Sequence, residues 1–210
     1  MPTERATTVK AALILGAFFL TEGAWVALNG LTDPWGFLEF LGFAPGRLGT
    51  AAGWLLALAV TVAFVLRSSR LPSVRANLFK PSWLKLLAVG MALAAGILEE
   101  AFFRRMLMNA LQHRGVGVPL QVVSSALAFG VSHGIWGLFG GSPRAAWGAT
   151  LATGVLGGAL AVVYVVADRS VAACVAAHVL LDLFIEPGLV LAALRGEMAA
   201  GPRTASRRRP

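Results

Sequence analysis

The sequence predicts an all-α, polytopic integral membrane protein with about six transmembrane helices and a C-terminal interfacial helix. Three observations carry this. Apolar residues fill 57% of the 210 positions even with the 24 glycines left out, and charged residues fill only 13%. Soluble domains run to about 45–50% apolar with glycine counted and about 25% charged. A soluble chain of this length has too little interior to hide so much apolar surface, and a disordered chain is poor in apolar residues. Finally, the apolar residues are gathered into runs of about 20, the length that crosses a bilayer as a helix.

The first run spans residues 9–28. It starts like a signal peptide, with Arg5 and Lys10, but Glu22, Trp25 and Val26 leave no small-residue cleavage site, so it reads as an uncleaved span. Residues 29–46 hold Asp33, Pro34, Trp35, Pro45 and Gly46, a loop with a short interfacial turn. The second run is 48–66, followed by Arg67, Arg70, Arg75, Lys80 and Lys85 with Pro72 and Pro81. The third begins near Trp83, meets Glu99 and Glu100 before any loop signal, and keeps a helical pattern to Leu111. His113, Arg114 and Gly115 close it, with His113 expected in solvent.

The fourth span is 119–139, ended by Gly140, Gly141, Ser142 and Pro143. The fifth, 145–167, carries Gly154 and Gly158, a small-xxx-small pair that lets helices approach closely. Asp168 and Arg169 make a tight turn into the sixth, 171–185, which Glu186 and Pro187 end. Residues 188–200, with Arg195 and Glu197, read as an interfacial helix, and 201–210 as a disordered tail. The chain thus divides into two N-terminal spans with a basic loop (1–80), a four-helix core (81–187) and the interfacial helix with its tail (188–210).

The net charge of +8 invites a nucleic-acid reading, which the distribution rejects: the positives sit between apolar runs and at the chain end, where membrane topology expects them. With six spans, the amino terminus, the basic loop and the basic tail (Arg203, Arg207, Arg208, Arg209) share one side, the cytoplasm by the positive-inside rule. The single cysteine, Cys174, indicates no redox compartment.

An ionisable group at bilayer depth costs about 2.5–3.5 kcal/mol on the insertion scale and therefore marks sites. The candidates are Glu22, Glu99, Glu100, Arg104, Arg105, His133, His178 and Asp182. Glu22, alone in the first span, either lines the cavity or sits near the far interface, and the interface is favoured. Glu100 and Arg104 lie four apart and can pair, while Glu99 points about 100° away and is free for other work. Phe129 and His133 share a face, as do His178 and Asp182. Three helices thus bring polar groups to lipid depth, and one shared cavity satisfies them all. Glutamate with two histidines and a further carboxylate is a hydrolytic set: a buried Glu can take a proton from water, and His can share it or donate to an oxyanion. The same four groups could hold a metal.

Glu-Glu-x-x-x-Arg at 99–104, Phe-x-x-x-His at 129–133 and His-x-x-x-Asp at 178–182, in that order on successive hydrophobic helices, resemble the CPBP (Abi) family of intramembrane proteases, to which the type II CAAX prenyl endopeptidases belong. The resemblance covers residues 83–187. It implies that Glu99 and His133 activate water, that Glu100 and Arg104 brace the helix, with Phe129 in support, and that His178 and the residue four later stabilise the oxyanion. Position 182 is Asp where the eukaryotic prenyl proteases carry Asn. A carboxylate facing an oxyanion opposes it unless it is protonated, orients His178 or binds a metal. No cofactor is firmly implied; if a metal is bound, zinc on Glu99, His133, His178 and Asp182 is the candidate.

The expectation is therefore an endopeptidase of the cell membrane, with a conical cavity between spans three to six open to the cytoplasm. Its partners would be the lipid bilayer and a hydrophobic or lipid-anchored peptide or protein, with no nucleic acid. Three rivals remain. Cys174, His178 and Asp182 share a helix face, so a cysteine nucleophile is conceivable. A non-catalytic immunity or scaffold protein could keep the motifs as an interhelical clamp. A small transporter could use the same Glu and His.

Overall fold

The computed structural model describes residues 4–135 and 143–198. The chain is helical throughout this range: α1 (Glu4–Thr32), α2 (Pro34–Phe40), α3 (Ala51–Ser68), α4 (Pro72–Asn77) and α5 (Trp83–Glu100), then a π-helical stretch (Ala101–Met108) and α6 (Asn109–His113), then α7 (Val118–Ser132), α8 (Pro143–Val166), α9 (Ala172–Ile185) and α10 (Gly188–Leu194). Local chemistry sets several starts. The Asp33 carboxylate accepts from the Gly36 N–H, Thr50 Oγ1 from Gly53 and Ser82 Oγ from Lys85, each satisfying an amide that a helix leaves orphaned. Pro34 and Pro72 occupy first-turn positions, where no N–H is needed.

Among the described residues, four helical segments are long and apolar enough to cross a bilayer: Glu4–Thr32, Ala51–Ser68, Trp83–His113 and Pro143–Val166. α9 and α10 meet at a 58° bend and qualify together as a fifth. The expected fourth span is narrower than its apolar run: α7 has 15 residues, ending at Ser132. Positions 136–142, with the rest of that run and its Gly-Gly-Ser end signal, lie outside the described residues, as do residues 199–210 with the tail expected to be disordered. Large apolar side chains such as Leu20, Leu55, Leu86, Leu127 and Val155 point outward, as lipid-facing surfaces require.

α5 is the central helix, packed on α1 along one side and on α9 along the other. α7 and α8 form a close hairpin, and α3 closes the bundle against α8 and α9. Gly154 and Gly158, expected to permit close approach, face α7 at ordinary contact distances: a Cβ on Gly154 would lie 3.5 Å from the Ala126 carbonyl oxygen and one on Gly158 3.4 Å from Ala126 Cβ. The tighter approaches are at Gly130 and Gly157. A Cβ on Gly130 would meet the Thr150 carbonyl oxygen at 2.6 Å, and one on Gly157 would meet Phe129 Cβ at 2.8 Å. Only glycine allows these backbones that separation.

The basic segment after α3 is built rather than loose. Ser73 and Val74 of α4 are buried, and the Gly188 backbone of α10 presses on Val74. Glu197 accepts from the Ser73 N–H (3.0 Å) and hydroxyl (2.6 Å), and Arg195 Nη1 donates to Ser73 Oγ (2.8 Å). α10 is shorter than the helix expected over 188–200, and five of its seven residues are buried.

Candidate active site

Glu99 and Glu100 close α5, and the backbone then changes register into the π-helical stretch. Such stretches are rare and recur at functional sites. The sequence pattern showed only an unbroken helix here. Glu100 and Arg104 are both fully buried and bonded at 2.9 Å (Nη1 to Oε1). Arg104 Nη2 also donates to the Gly157 carbonyl of α8 at 3.0 Å, and the guanidinium lies 4.6 Å from the Phe129 ring centre. A buried arginine needs such company; breaking a buried pair by removing one partner costs about 3–5 kcal/mol.

Glu100 does more than the expected bracing. The same Oε1 receives the Nδ1–H of His178 at 2.7 Å. Its charge, held by Arg104, fixes the imidazole with Nδ1 as donor and leaves Nε2 directed at the cluster, the arrangement by which a buried acid orients a histidine. Asp182 is more distant, with Oδ2 at 3.6 Å from His178 Nε2. Of the two carboxylates, Glu100 is the one that orients His178.

His133 reaches the cluster by another route. It caps α7, its own backbone N–H donating to the Phe129 carbonyl oxygen at 3.3 Å. Its Nδ1 lies 2.9 Å from the Phe129 carbonyl oxygen, to which only an N–H can donate, and its ring stacks on Phe129 with centroids 4.4 Å apart. Nε2 is therefore the free nitrogen, and it sits 3.5 Å from Glu99 Oε2. The same oxygen lies 4.0 Å from His178 Nε2. Glu99 thus faces the free nitrogens of both histidines. Glu99, His133 and Asp182 keep 18, 17 and 14% side-chain exposure, so the cluster is not fully sealed. A cavity of about 230 Å³ lies elsewhere, between the 39–49 loop, Arg105 and the 168–171 turn.

The structure therefore brings together Glu99, Glu100, Arg104, Phe129, His133, His178 and Asp182. It leaves out Arg105, whose guanidinium lies over Phe40, and His113, which is exposed. Cys174 is fully buried, with its thiol 3.4 Å from the Leu160 carbonyl oxygen, to which it donates. Among the described residues, no group of three or more His, Cys, Asp or Glu side chains is spaced to hold a metal ion.

Glu22 is a correction. Its side chain is not at the far interface but buried, with 9% exposure, and its electrostatic neighbours are Glu99, Asp182 and His178. The only hint in the sequence was the cost of a carboxylate in an apolar run; its partners come from helices far along the chain. Four buried side-chain atoms among the described residues lack a hydrogen-bond partner: Glu22 Oε2, Glu99 Oε2, Glu100 Oε2 and Arg104 Nε. All four belong to this cluster.

Residues 81–184 match the family model Rce1-like, described as Type II CAAX prenyl endopeptidase Rce1-like. No curated protein and no solved structure matches the chain.

Proposed function

With residues 81–184 belonging to the Rce1-like family of type II CAAX prenyl endopeptidases, we propose that the chain is an intramembrane endopeptidase that cleaves a hydrophobic or lipid-anchored, CAAX-like peptide with water activated by Glu99 and His133. One observation carries the reading: a single oxygen, Glu99 Oε2, faces the free nitrogens of two histidines that are each held by a separate partner.

In this mechanism Glu99, assisted by His133, takes a proton from water while the water oxygen attacks the peptide carbonyl carbon. General-base assistance of this kind is worth about 10²–10⁴-fold. The carbonyl oxygen becomes an oxyanion and accepts a hydrogen bond from the Nε2–H of protonated His178, which Glu100 keeps in position. The proton held between Glu99 and His133 then passes to the leaving nitrogen, the C–N bond breaks, and an acid and an amine depart. Asp182, near His178 Nε2, stabilises the protonated imidazole rather than the oxyanion.

By the positive-inside rule, the amino terminus and the basic segment 67–85 face the cytoplasm, and the peptide enters from that side of the cell membrane. The test is hydrolysis of prenylated and unprenylated hydrophobic peptides by purified protein in detergent. Activity is expected and should vanish in Glu99→Ala; activity surviving that change overturns the mechanism.

The clamp of Arg104, Glu100 and His178, which ties α5 to α8 and α9, also suits a non-catalytic scaffold. A Glu99→Gln, His133→Ala double variant that supports the same cellular phenotype as the wild type would decide for that role.

A further inference from the structure

Glu99, Glu100 and Asp182 meet in the cluster and Glu22 lies within electrostatic reach of it, and the cationic or protonatable groups there are Arg104, His133 and His178. Even with both imidazoles protonated, the acids outnumber the cations. Glu100 is matched by Arg104, and Glu99 and Asp182 each approach an imidazole. Glu22 is the one left over. It is nine-tenths buried, its Oε2 has no hydrogen-bond partner, and two of its three electrostatic neighbours repel it. Lys85 of α5 gives no help, because its ammonium donates to the carbonyl oxygens of Phe184 (3.2 Å) and Glu186 (2.7 Å). Arg195 of α10 lies instead beside Glu4.

We propose that Glu22 is a substrate-binding residue that pairs with the cationic side chain of a Lys or Arg carried by the peptide beside the scissile bond. The inference rests on the protease reading above and narrows its substrate class to hydrophobic peptides bearing a local positive charge. Two features suit such a guest. A Lys or Arg side chain has a long apolar stem that lies along the apolar helix walls while its head seeks the acids. An acid facing a bundle's interior among other acids, without a partner of its own, is where an intramembrane protein receives a cation. Through this residue α1, which lies outside the family-matched segment, becomes part of the site.

The test uses two hydrophobic peptides identical except for Lys or norleucine beside the scissile bond, with purified full-length wild-type and Glu22→Gln proteins in detergent. The wild type should favour the Lys peptide in kcat/KM by about ten-fold or more, roughly the yield of one partly desolvated ion pair. Glu22→Gln should bring the ratio near one. Because both peptides are compared on the same preparation, the ratio does not depend on the fraction folded. Binding of both peptides is read in parallel as displacement of a fluorescent neutral peptide. A wild-type ratio near one, or a preference that survives Glu22→Gln, overturns the inference, and a Glu22 that simply holds a proton is then the account. Discrimination in binding without cleavage keeps the cation site and removes the protease reading; cleavage without discrimination does the reverse. Neither binding nor cleavage overturns both.

Discussion

Around Arg169, at one end of α8 and α9, buried polar groups are fully engaged. The guanidinium donates to Asn109 Oδ1, Gln121 Oε1 and the Met108 carbonyl at 2.9–3.2 Å. Tyr164 donates to the same Asn109 oxygen, and Gln121 Nε2 to the Val116 carbonyl. Around Glu99, by contrast, four buried atoms on α1, α5 and the π-helical stretch have no hydrogen-bond partner. Each unpaired buried group costs about 1–3 kcal/mol. The first cluster is what a bundle does with polar groups that hold it together. The second keeps unspent hydrogen-bonding capacity around Glu99, which is what the proposed substrate site needs.

Four substitutions sharpen or break this contrast. The largest effect is expected for Glu99→Gln, a loss of about 10²–10⁴-fold in peptide hydrolysis with no fall in the unfolding midpoint in detergent; a large loss of stability would make Glu99 structural and erase the contrast. Next is Arg104→Ala, which strips Glu100 of its buried guanidinium and leaves it only His178, and should cost about 3–5 kcal/mol of stability in denaturant titration. Arg169→Met should cost about 1–3 kcal/mol while turnover per folded molecule stays near wild type, since its network lies away from the proposed chemistry. The smallest effect is expected for Cys174→Ala, which should leave hydrolysis essentially unchanged; loss of activity there would revive the cysteine nucleophile.

The parts of the site visible in the sequence are those that depend on one helix at a time. Glu100 with Arg104, Phe129 with His133 and His178 with Asp182 are spaced four apart, and helical geometry places such pairs on one face without tertiary knowledge. Their presence in apolar runs made them stand out. The bond from His178 to Glu100, and the position of Glu22 beside Glu99, Asp182 and His178, depend on how helices from distant parts of the chain lie together, which no local spacing encodes. The α4–α10 contact was hidden for a similar reason: Ser73 and Val74 sit in a segment whose charges look solvated, and only the Gly188 backbone and Glu197 reveal them as buried. Among the spans, the apolar runs located the helices well. The run over 119–139 nevertheless overstated α7, since apolar residues continue past the His133 turn where the helix ends.

The π-helical stretch at Ala101–Met108 has a consequence for comparing sequences. Its ladder closes one residue later than an α-helix, so it behaves like a single-residue insertion absorbed within a continuous helix. Removing one residue between Glu100 and Arg104 would rotate everything downstream by about 100°, moving the Arg104 guanidinium relative to the Gly157 carbonyl and the Phe129 ring that receive it. A homologue aligned with a gap at this place is therefore not the same machine with a shorter helix. The length of this interval is as diagnostic as the identity of the residues that bound it.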